Sequence, residues 1–128
     1  MVPSIIYALN KMKAFEITIC NRTKSKAEDM KNLFNDLIVI NWGEVSDFDM
    51  IINATSIGLN KKDKFGLDLS KFKNSNFFYD IIYNPLETHF LKDAKNLGKK
   101  TENGKRMFIH QAAQAFKIWH GIQPDIDD

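Results

Sequence analysis

The chain has 128 residues, 44% of them hydrophobic and 27% charged, so it can bury one modest core and we expect a single domain over residues 1–128. Its net charge of +2 comes from scattered lysines in short runs without interleaved aromatic residues, which argues against nucleic acid as a partner. The longest stretch without a charged residue, 50–60, is far shorter than the roughly 20 apolar residues that span a bilayer, so no membrane partner is expected.

The cysteine content and the first residues together indicate the compartment. Cys20 is the only cysteine, so no internal disulfide can form, and its place in an apolar run predicts a buried small hydrophobe and not a nucleophile. The apolar residues 1–9 have no preceding basic region and no small-residue cleavage site, so we expect no signal peptide. The sequence therefore predicts a cytoplasmic protein.

Hydrophobic spacing predicts helices that alternate with strands. Helices are predicted at 5–12, 24–36, 86–97 and 106–119, and strands at 15–20, 37–40, 49–54 and 77–83, the last strand ending before Asn84-Pro85. The segment 99–104 is predicted to be a connection between two helices. Because helices separate the strands, we expect right-handed crossovers and a parallel sheet with helices on both faces, an α/β fold of Rossmann-like type.

One part of a dinucleotide-binding fold is not found. Such a fold begins with a strand, a glycine-rich turn and a helix whose first amides hold the pyrophosphate. This chain begins with a predicted helix, and its six glycines are all at least six residues apart, so the first strand and the glycine-rich loop are lacking. That strand would pair with the strands at 15–20 and 49–54, whose unpaired apolar edges predict marginal stability or self-association.

The segment Asn21-Arg22-Thr23 follows the predicted strand 15–20, where a dinucleotide fold holds the adenosine ribose. Enzymes that use NAD place Asp or Glu there, and a carboxylate would repel a 2'-phosphate. Arg22 can bind that phosphate through paired charged hydrogen bonds and can stack on adenine, so the residue favours NADP. From the residues alone, a solvated loop arginine stays open as the alternative.

Four segments together resemble one family, the shikimate dehydrogenases. They are 21–27 (NRTKSKA), 52–59 (INATSIGL), 80–88 (DIIYNPLET) and 104–121 (GKRMFIHQAAQAFKIWHG). They are similar, in order, to that family's N-R-T/S, N-A-T-S-x-G-M, D-x-x-Y-x-P-x-x-T and G-x-x-M-L-x-x-Q-A-x-x-A-F-x-x-W-x-G segments. The resemblance implies the C-terminal, NADP-binding domain of such an enzyme, without its N-terminal substrate-binding domain.

The resemblance also implies roles for individual residues. The residues implied in NADP binding are Asn21, Arg22, Thr23, Thr55, Ser56, Ile81, Gly104 and Met107, and those implied in substrate binding are Tyr83 and Gln111. Lys24 and Lys26 would add positive field near the 2'-phosphate. Judged without the resemblance, the hydroxyls of Thr55 and Ser56 are as well explained as turn or helix caps, and Gln111 as a solvated residue at the edge of a helix face.

Several other residues are interpreted as structural. Asp80 is expected to support the fold, and the three histidines have no spacing that would assemble a metal site. An apolar stripe on the last helix is expected to face the core: Phe108, Ala112, Ala115, Phe116 and Trp119. Leu59 and Phe108 stand where the family pattern has Met and Leu, both conservative apolar changes.

The resemblance implies an oxidoreductase of aromatic amino acid biosynthesis that interconverts 3-dehydroshikimate and shikimate with NADP. In the family a Lys and Asp pair of the N-terminal domain handles the proton, so no catalytic residue and no metal ligand is assigned in this chain, and its activity alone is in doubt. Two alternatives stay open. One is a quinate/shikimate dehydrogenase, and the other is a non-catalytic remnant that acts as a binding module.

Overall fold

A computed structural model describes residues 2–125 of the chain. The chain divides into two compact units, Met1–Ser46 and Asp47–Asp128. Each unit contains helices and a parallel sheet. The predicted α/β class with parallel strands is therefore confirmed, while the assignment of residues 1–128 to a single domain stays a prediction.

The first unit consists of two helices and two short strands. They are α1 (Val2–Lys11), β1 (Thr18–Ile19), α2 (Lys24–Met30) and β2 (Ile38–Val39). The strands are parallel, with Thr18 opposite Ile38, as expected when a helix connects them. The helices bury Ile6 and Ala27, which are 3% and 1% exposed.

The second unit contains a three-stranded sheet and two helices. Its elements are β3 (Met50–Asn53), a 3-10 turn (Leu69–Lys71), β4 (Phe77–Asp80), α3 (His89–Asn96), β5 (Lys100–Glu102) and α4 (Lys105–His120). All three strands are parallel and lie in the order β3-β4-β5. β4 is the central strand of this sheet.

The core of the second unit is built around β4 and α3. Phe78 of β4 is fully buried, and its ring meets the ring of Phe90 edge to face at 5.6 Å between centroids. Leu91 and Ala94 of α3 belong to the same buried cluster, together with Leu69 of the 3-10 turn. Burying a side chain the size of phenylalanine stabilises a fold by about 1.5–3 kcal/mol, so this cluster holds α3 against the sheet.

Several predicted elements are shorter in the structure. The strand predicted at 15–20 is paired only over Thr18–Ile19, because Phe15 is fully exposed and has no sheet to join. The helix predicted at 24–36 ends at Met30, where two backbone amides turn back to one carbonyl and leave Leu33 in solvent. The strand predicted at 77–83 ends at Asp80 because the Asp80 carboxylate accepts the amide of Ile82.

The segment predicted as a connection at 99–104 contains strand β5, so that prediction was wrong. The strand Lys100-Thr101-Glu102 carries no apolar side chain that would reveal it. It is held by backbone pairing with β4, and the Lys100 amide donates to the Asn76 carbonyl at 3.0 Å. A polar strand of this kind is typical of a sheet edge, where solvent covers one side.

The prediction of a core-facing stripe on α4 was also wrong. Phe108, Phe116 and Trp119 are 45%, 42% and 77% exposed, while Ala113 is buried. Helical spacing shows which residues share a face but not which face is covered, and the face of α4 that this chain covers carries Ala113. The apolar face of α4 is therefore open to solvent in this chain.

Candidate functional site

The predicted site residues of the second unit lie beyond the carboxyl ends of its three parallel strands. The register pairs Asn53 with Asp80 and Tyr79 with Glu102, so the three strands end almost level. The segments that follow them carry Thr55, Ser56, Ile81, Tyr83, Gly104, Met107 and Gln111. Ligands of open parallel sheets bind at this edge, so the structure brings the strand-end residues of this set to a suitable place.

A buried polar network joins these strand ends to α3. Asp80 is fully buried, and its Oδ1 accepts the Asn53 amide at 3.1 Å and the Ile82 backbone amide at 3.0 Å. Its Oδ2 accepts the Thr88 hydroxyl at 2.7 Å, and the Thr88 oxygen in turn caps α3 by accepting the Leu91 amide. The network ties the ends of β3 and β4 to the start of α3, which gives Asp80 the structural role expected from the sequence.

The electrostatics of Asp80 follow from this burial. Desolvation raises the pKa of the Asp80 carboxyl, and the hydrogen bonds from Ile82, Thr88 and Asn53 act against that rise. Both carboxylate oxygens are occupied. Asp80 is therefore a fixed part of the scaffold and is not placed to exchange a proton with a ligand.

The loop after β3 is folded by its own polar side chains. The Thr55 hydroxyl donates to Asn53 Oδ1 at 2.7 Å and accepts the Ile57 amide at 3.1 Å. The second Asn53 contact, from its Nδ2 to the Ile57 carbonyl at 3.0 Å, closes the same turn. Thr55 thus has the turn-forming role that the sequence left open, whereas Ser56 is exposed at the tip.

Gly104 is packed directly against the segment after β4. A Cβ built at Gly104 would lie 1.8 Å from the Ile81 carbonyl oxygen and 2.4 Å from its carbon. The Gly104 amide donates to the Ile82 carbonyl at 3.0 Å. Glycine is needed here for this close backbone approach, so its requirement has an explanation that does not involve a bound cofactor.

Tyr83 is oriented by an aromatic neighbour on α4. The Tyr83 and Phe108 rings stack with centroids 4.4 Å apart and planes inclined by 21°. Phe108 is one of the two positions at which the chain differs from the family pattern. On the same helix Met107 is partly buried and Gln111 is exposed, one turn apart.

The first unit places Asn21, Arg22 and Thr23 directly after β1. Asn21 Oδ1 accepts the Thr23 amide at 2.8 Å, which folds the segment into a tight turn. Thr23 precedes α2 without capping it through its side chain. The Arg22 guanidinium is exposed and lies over the Trp42 ring, 5.5 Å from its centroid. Trp42 was not singled out in the sequence.

Other features of the described residues offer no alternative site. An open depression of about 290 Å³ is lined by residues outside the predicted set: Leu86, Glu87, Leu91, Thr101, Glu102 and Asn103. Over residues 2–125, no three His, Cys, Asp or Glu side chains gather as metal ligands, and His89 Nε2 is engaged with the Lys61 carbonyl at 2.7 Å. No helix in this range combines the length and apolar character needed to cross a bilayer.

Comparison with known proteins identifies the family. A family model described as the shikimate 5'-dehydrogenase C-terminal domain matches residues 104–128. The shikimate dehydrogenase (NADP(+)) of Pelagibacter ubique is 53% identical over 127 residues, which are 99% of this chain and 48% of that protein. The chain thus spans about half the length of this curated relative.

Solved structures agree in fold. The Thermus thermophilus shikimate 5-dehydrogenase, solved with NADP(H) and shikimate, matches with a TM-score of 0.76 and 30% identity, over 90% of this chain and 44% of that one. The Corynebacterium glutamicum quinate dehydrogenase, solved with NAD, gives 0.79 and 28%, over 93% and 46%. With parallel sheets, a Rossmann-like α/β fold and this sequence identity, the chain belongs to the shikimate dehydrogenase family.

Proposed function

We propose that this chain is the NADP-binding part of a shikimate dehydrogenase, an oxidoreductase that interconverts 3-dehydroshikimate and shikimate. The observation that carries the proposal is the exposed Arg22 guanidinium just beyond the carboxyl end of β1, in a chain 53% identical to a shikimate dehydrogenase named for NADP(+). A fixed positive charge at that point suits a 2'-phosphate and not a bare ribose hydroxyl.

The residues of the first unit fit the adenosine end of NADP. Arg22 would bind the 2'-phosphate through its guanidinium edge, and Asn21 would hold the turn that presents it. The Thr23 hydroxyl does not cap α2 and is available for a second phosphate contact. The exposed Lys24 and Lys26 add positive field near the phosphate.

The residues of the second unit fit the nicotinamide and substrate end. When bound, NADP supplies the ring that accepts or returns the hydride. Ile81, Gly104 and Met107 would form the wall against which that ring lies, with Ser56 at the tip of the neighbouring loop. The Tyr83 hydroxyl and the Gln111 amide are exposed polar groups that can hydrogen-bond the hydroxyls or carboxylate of the substrate.

Proton transfer would need a group that these residues do not offer. The Asp80 carboxylate is buried with both oxygens engaged, and an acid or base must reach the reacting oxygen within hydrogen-bonding distance. We therefore expect residues 1–128 alone to give no NADP reduction with shikimate. Fusion to the remaining half of the Pelagibacter relative should give activity, and that activity should fall when Tyr83 or Gln111 is substituted.

The cofactor assignment is tested by exchanging one charge. In the fused enzyme, Arg22→Ala should lower the affinity for NADPH about ten- to a hundredfold and leave that for NADH nearly unchanged, since a charge-assisted contact contributes about 1.5–3 kcal/mol. Lys26→Ala is the matched control, because it removes an exposed positive charge from the same region. An NADPH to NADH ratio that is the same in Arg22→Ala and wild type would contradict the assignment.

Two alternatives are separated by the same measurements. The likeness to a quinate dehydrogenase keeps a quinate/shikimate enzyme open, and comparing kcat/KM for quinate and shikimate in the fused enzyme decides between them. A non-catalytic binding module would bind neither nucleotide. Cytoplasmic residence and self-association through unpaired strand edges stay predictions.

A further inference from the structure

Trp42 lies in a turn that immediately follows β2. The Glu44 amide donates to the Asn41 carbonyl at 3.1 Å, and Gly43 occupies the left-handed region at φ 83°. Such a turn needs glycine at its third position and presents the residue before it at the corner. Trp42 is that residue, and its ring is partly buried beneath the Arg22 guanidinium.

The sheet register explains why these two side chains meet. β1 and β2 are parallel, with Ile19 opposite Val39, and Ile40 continues the ladder by donating to the Ile19 carbonyl at 3.1 Å. Arg22 follows Ile19 by three residues, and Trp42 follows Val39 by three. Since neighbouring strands lie about 4.8 Å apart, equal offsets beyond paired residues bring the two side chains together at one edge.

The stacked geometry leaves the binding surface of the guanidinium free. A cation over an aromatic face uses the plane of the guanidinium, whereas all five N–H donors lie at its edge. A long arginine side chain in solvent otherwise samples many rotamers and loses that freedom on binding a phosphate. An arginine already held on an indole loses less, so it binds an anion more strongly.

We propose that Trp42 is a positioning residue for the adenosine end of the cofactor. It holds the Arg22 guanidinium in one plane with its N–H edge exposed, and it thereby increases the preference for nucleotides that carry a 2'-phosphate. This inference rests on the proposed function, in which Arg22 is the 2'-phosphate ligand. Trp42 acts through Arg22 and not by its own contact with the phosphate.

The test uses mononucleotides, because they occupy only the adenosine end of the site. Adenosine 2'-monophosphate and adenosine 5'-monophosphate are titrated separately into residues 1–128, and the dissociation constants are read from the indole N–H resonances of the ¹⁵N-labelled chain. The two tryptophans, Trp42 and Trp119, are assigned with Trp119→Phe, which also serves as the control substitution. Variants are Trp42→Leu, which keeps bulk without an aromatic face, Trp42→Phe and Arg22→Ala; since Trp42→Leu and Trp42→Phe remove the Trp42 indole, their titrations are read from backbone amides.

The wild-type chain should bind the 2'-phosphate more tightly than the 5'-phosphate. Trp42→Leu should reduce that preference about two- to fivefold, as expected for an exposed cation–π pair, and Trp42→Phe should restore most of it. Affinity for adenosine 5'-monophosphate should stay nearly constant. Equal losses for both nucleotides would mean that Trp42 stacks on adenine or only supports the fold, and would overturn the proposal.

The failure of this inference differs from the failure of the proposed function. If Arg22→Ala removes the preference and Trp42→Leu does not, the function stands and the role of Trp42 is refuted. If the wild-type chain shows no preference and Arg22→Ala changes nothing, the cofactor assignment is refuted and the role of Trp42 with it. A variant-free measurement completes the test: stacking shifts the Arg22 side-chain proton resonances upfield, and random-coil positions in the wild-type chain would overturn the proposal.

Discussion

Gly104→Ala is expected to be strongly destabilising, for a reason that the structure isolates. Gly104 has φ −83°, a value that any residue adopts, so the substitution imposes no backbone strain of its own. The added Cβ would lie 1.8 Å from the Ile81 carbonyl oxygen, about half of a normal contact distance. The whole cost therefore comes from separating two pieces of backbone.

The size of the effect follows from what holds those pieces together. To clear the Cβ, the start of α4 must move by more than 1 Å from Ile81, since carbon and oxygen approach to roughly 3.3 Å at the closest. That motion breaks the 3.0 Å bond from the Gly104 amide to the Ile82 carbonyl. Overpacking costs about 1–3 kcal/mol and the lost hydrogen bond about 1 kcal/mol, so we expect a decrease of 2–4 kcal/mol in the free energy of unfolding.

Urea unfolding followed by circular dichroism measures this decrease. Gly98→Ala is the matched control, because a Cβ at Gly98 meets nothing within 4 Å, but its φ of 77° is costly for alanine, by about 1–2 kcal/mol. Gly104→Ala should exceed this control although its backbone conformation is ordinary. A Gly104→Ala variant within 0.5 kcal/mol of wild type, or one more stable than Gly98→Ala, would refute the packing between α4 and Ile81.

Three other substitutions or measurements test the described contacts. Because burial raises the pKa of Asp80 above its unfolded value of about 3.9, its contribution to stability is largest below that pH and is lost as the pH rises through the folded pKa. Asp80→Asn should flatten the pH dependence of stability above about pH 4, whereas Asp80→Ala should cost about 3 kcal/mol by leaving Asn53 and Thr88 without their partner. Burial raises the pKa of the Cys20 thiol, so iodoacetamide at pH 7 should react more slowly with the folded chain than in urea, and equal rates would contradict that burial. Phe108→Leu should move the Tyr83 ring-proton resonances downfield, and unchanged shifts would argue against the stacking.

The sequence predicted the elements that have apolar character and failed where backbone alone forms the structure. The apolar run Phe77-Phe78 marks the central strand, because that strand is buried on its covered face. Strand β5 has no such signal, since an edge strand can be held by ladder hydrogen bonds with polar side chains throughout. Periodicity likewise places the α4 stripe on one helix face without telling whether this chain covers it.

The candidate site was predicted more completely than the reasons for its residues. Motif resemblance selects Gly104 and Thr55 as cofactor residues, but the structure shows that each also has a packing or turn role that a sequence pattern cannot separate from binding. Trp42 escaped prediction because it belongs to no motif. Its place follows from the pairing of Ile19 with Val39, which is a fact of strand register and not of local sequence.

Strand register gives a common rule for both units. Where parallel strands end level, residues at similar distances beyond the paired positions must lie side by side, whatever their distance along the chain. The rule accounts for Arg22 with Trp42 in the first unit, and in the second for the bond from the Gly104 amide to the Ile82 carbonyl, both two residues beyond the last residues of their strands. A slip of one residue in either sheet would separate these pairs while leaving every helix and strand in place. The site therefore depends on register more than on the lengths of its elements, which is why strands of two and three residues can still position it.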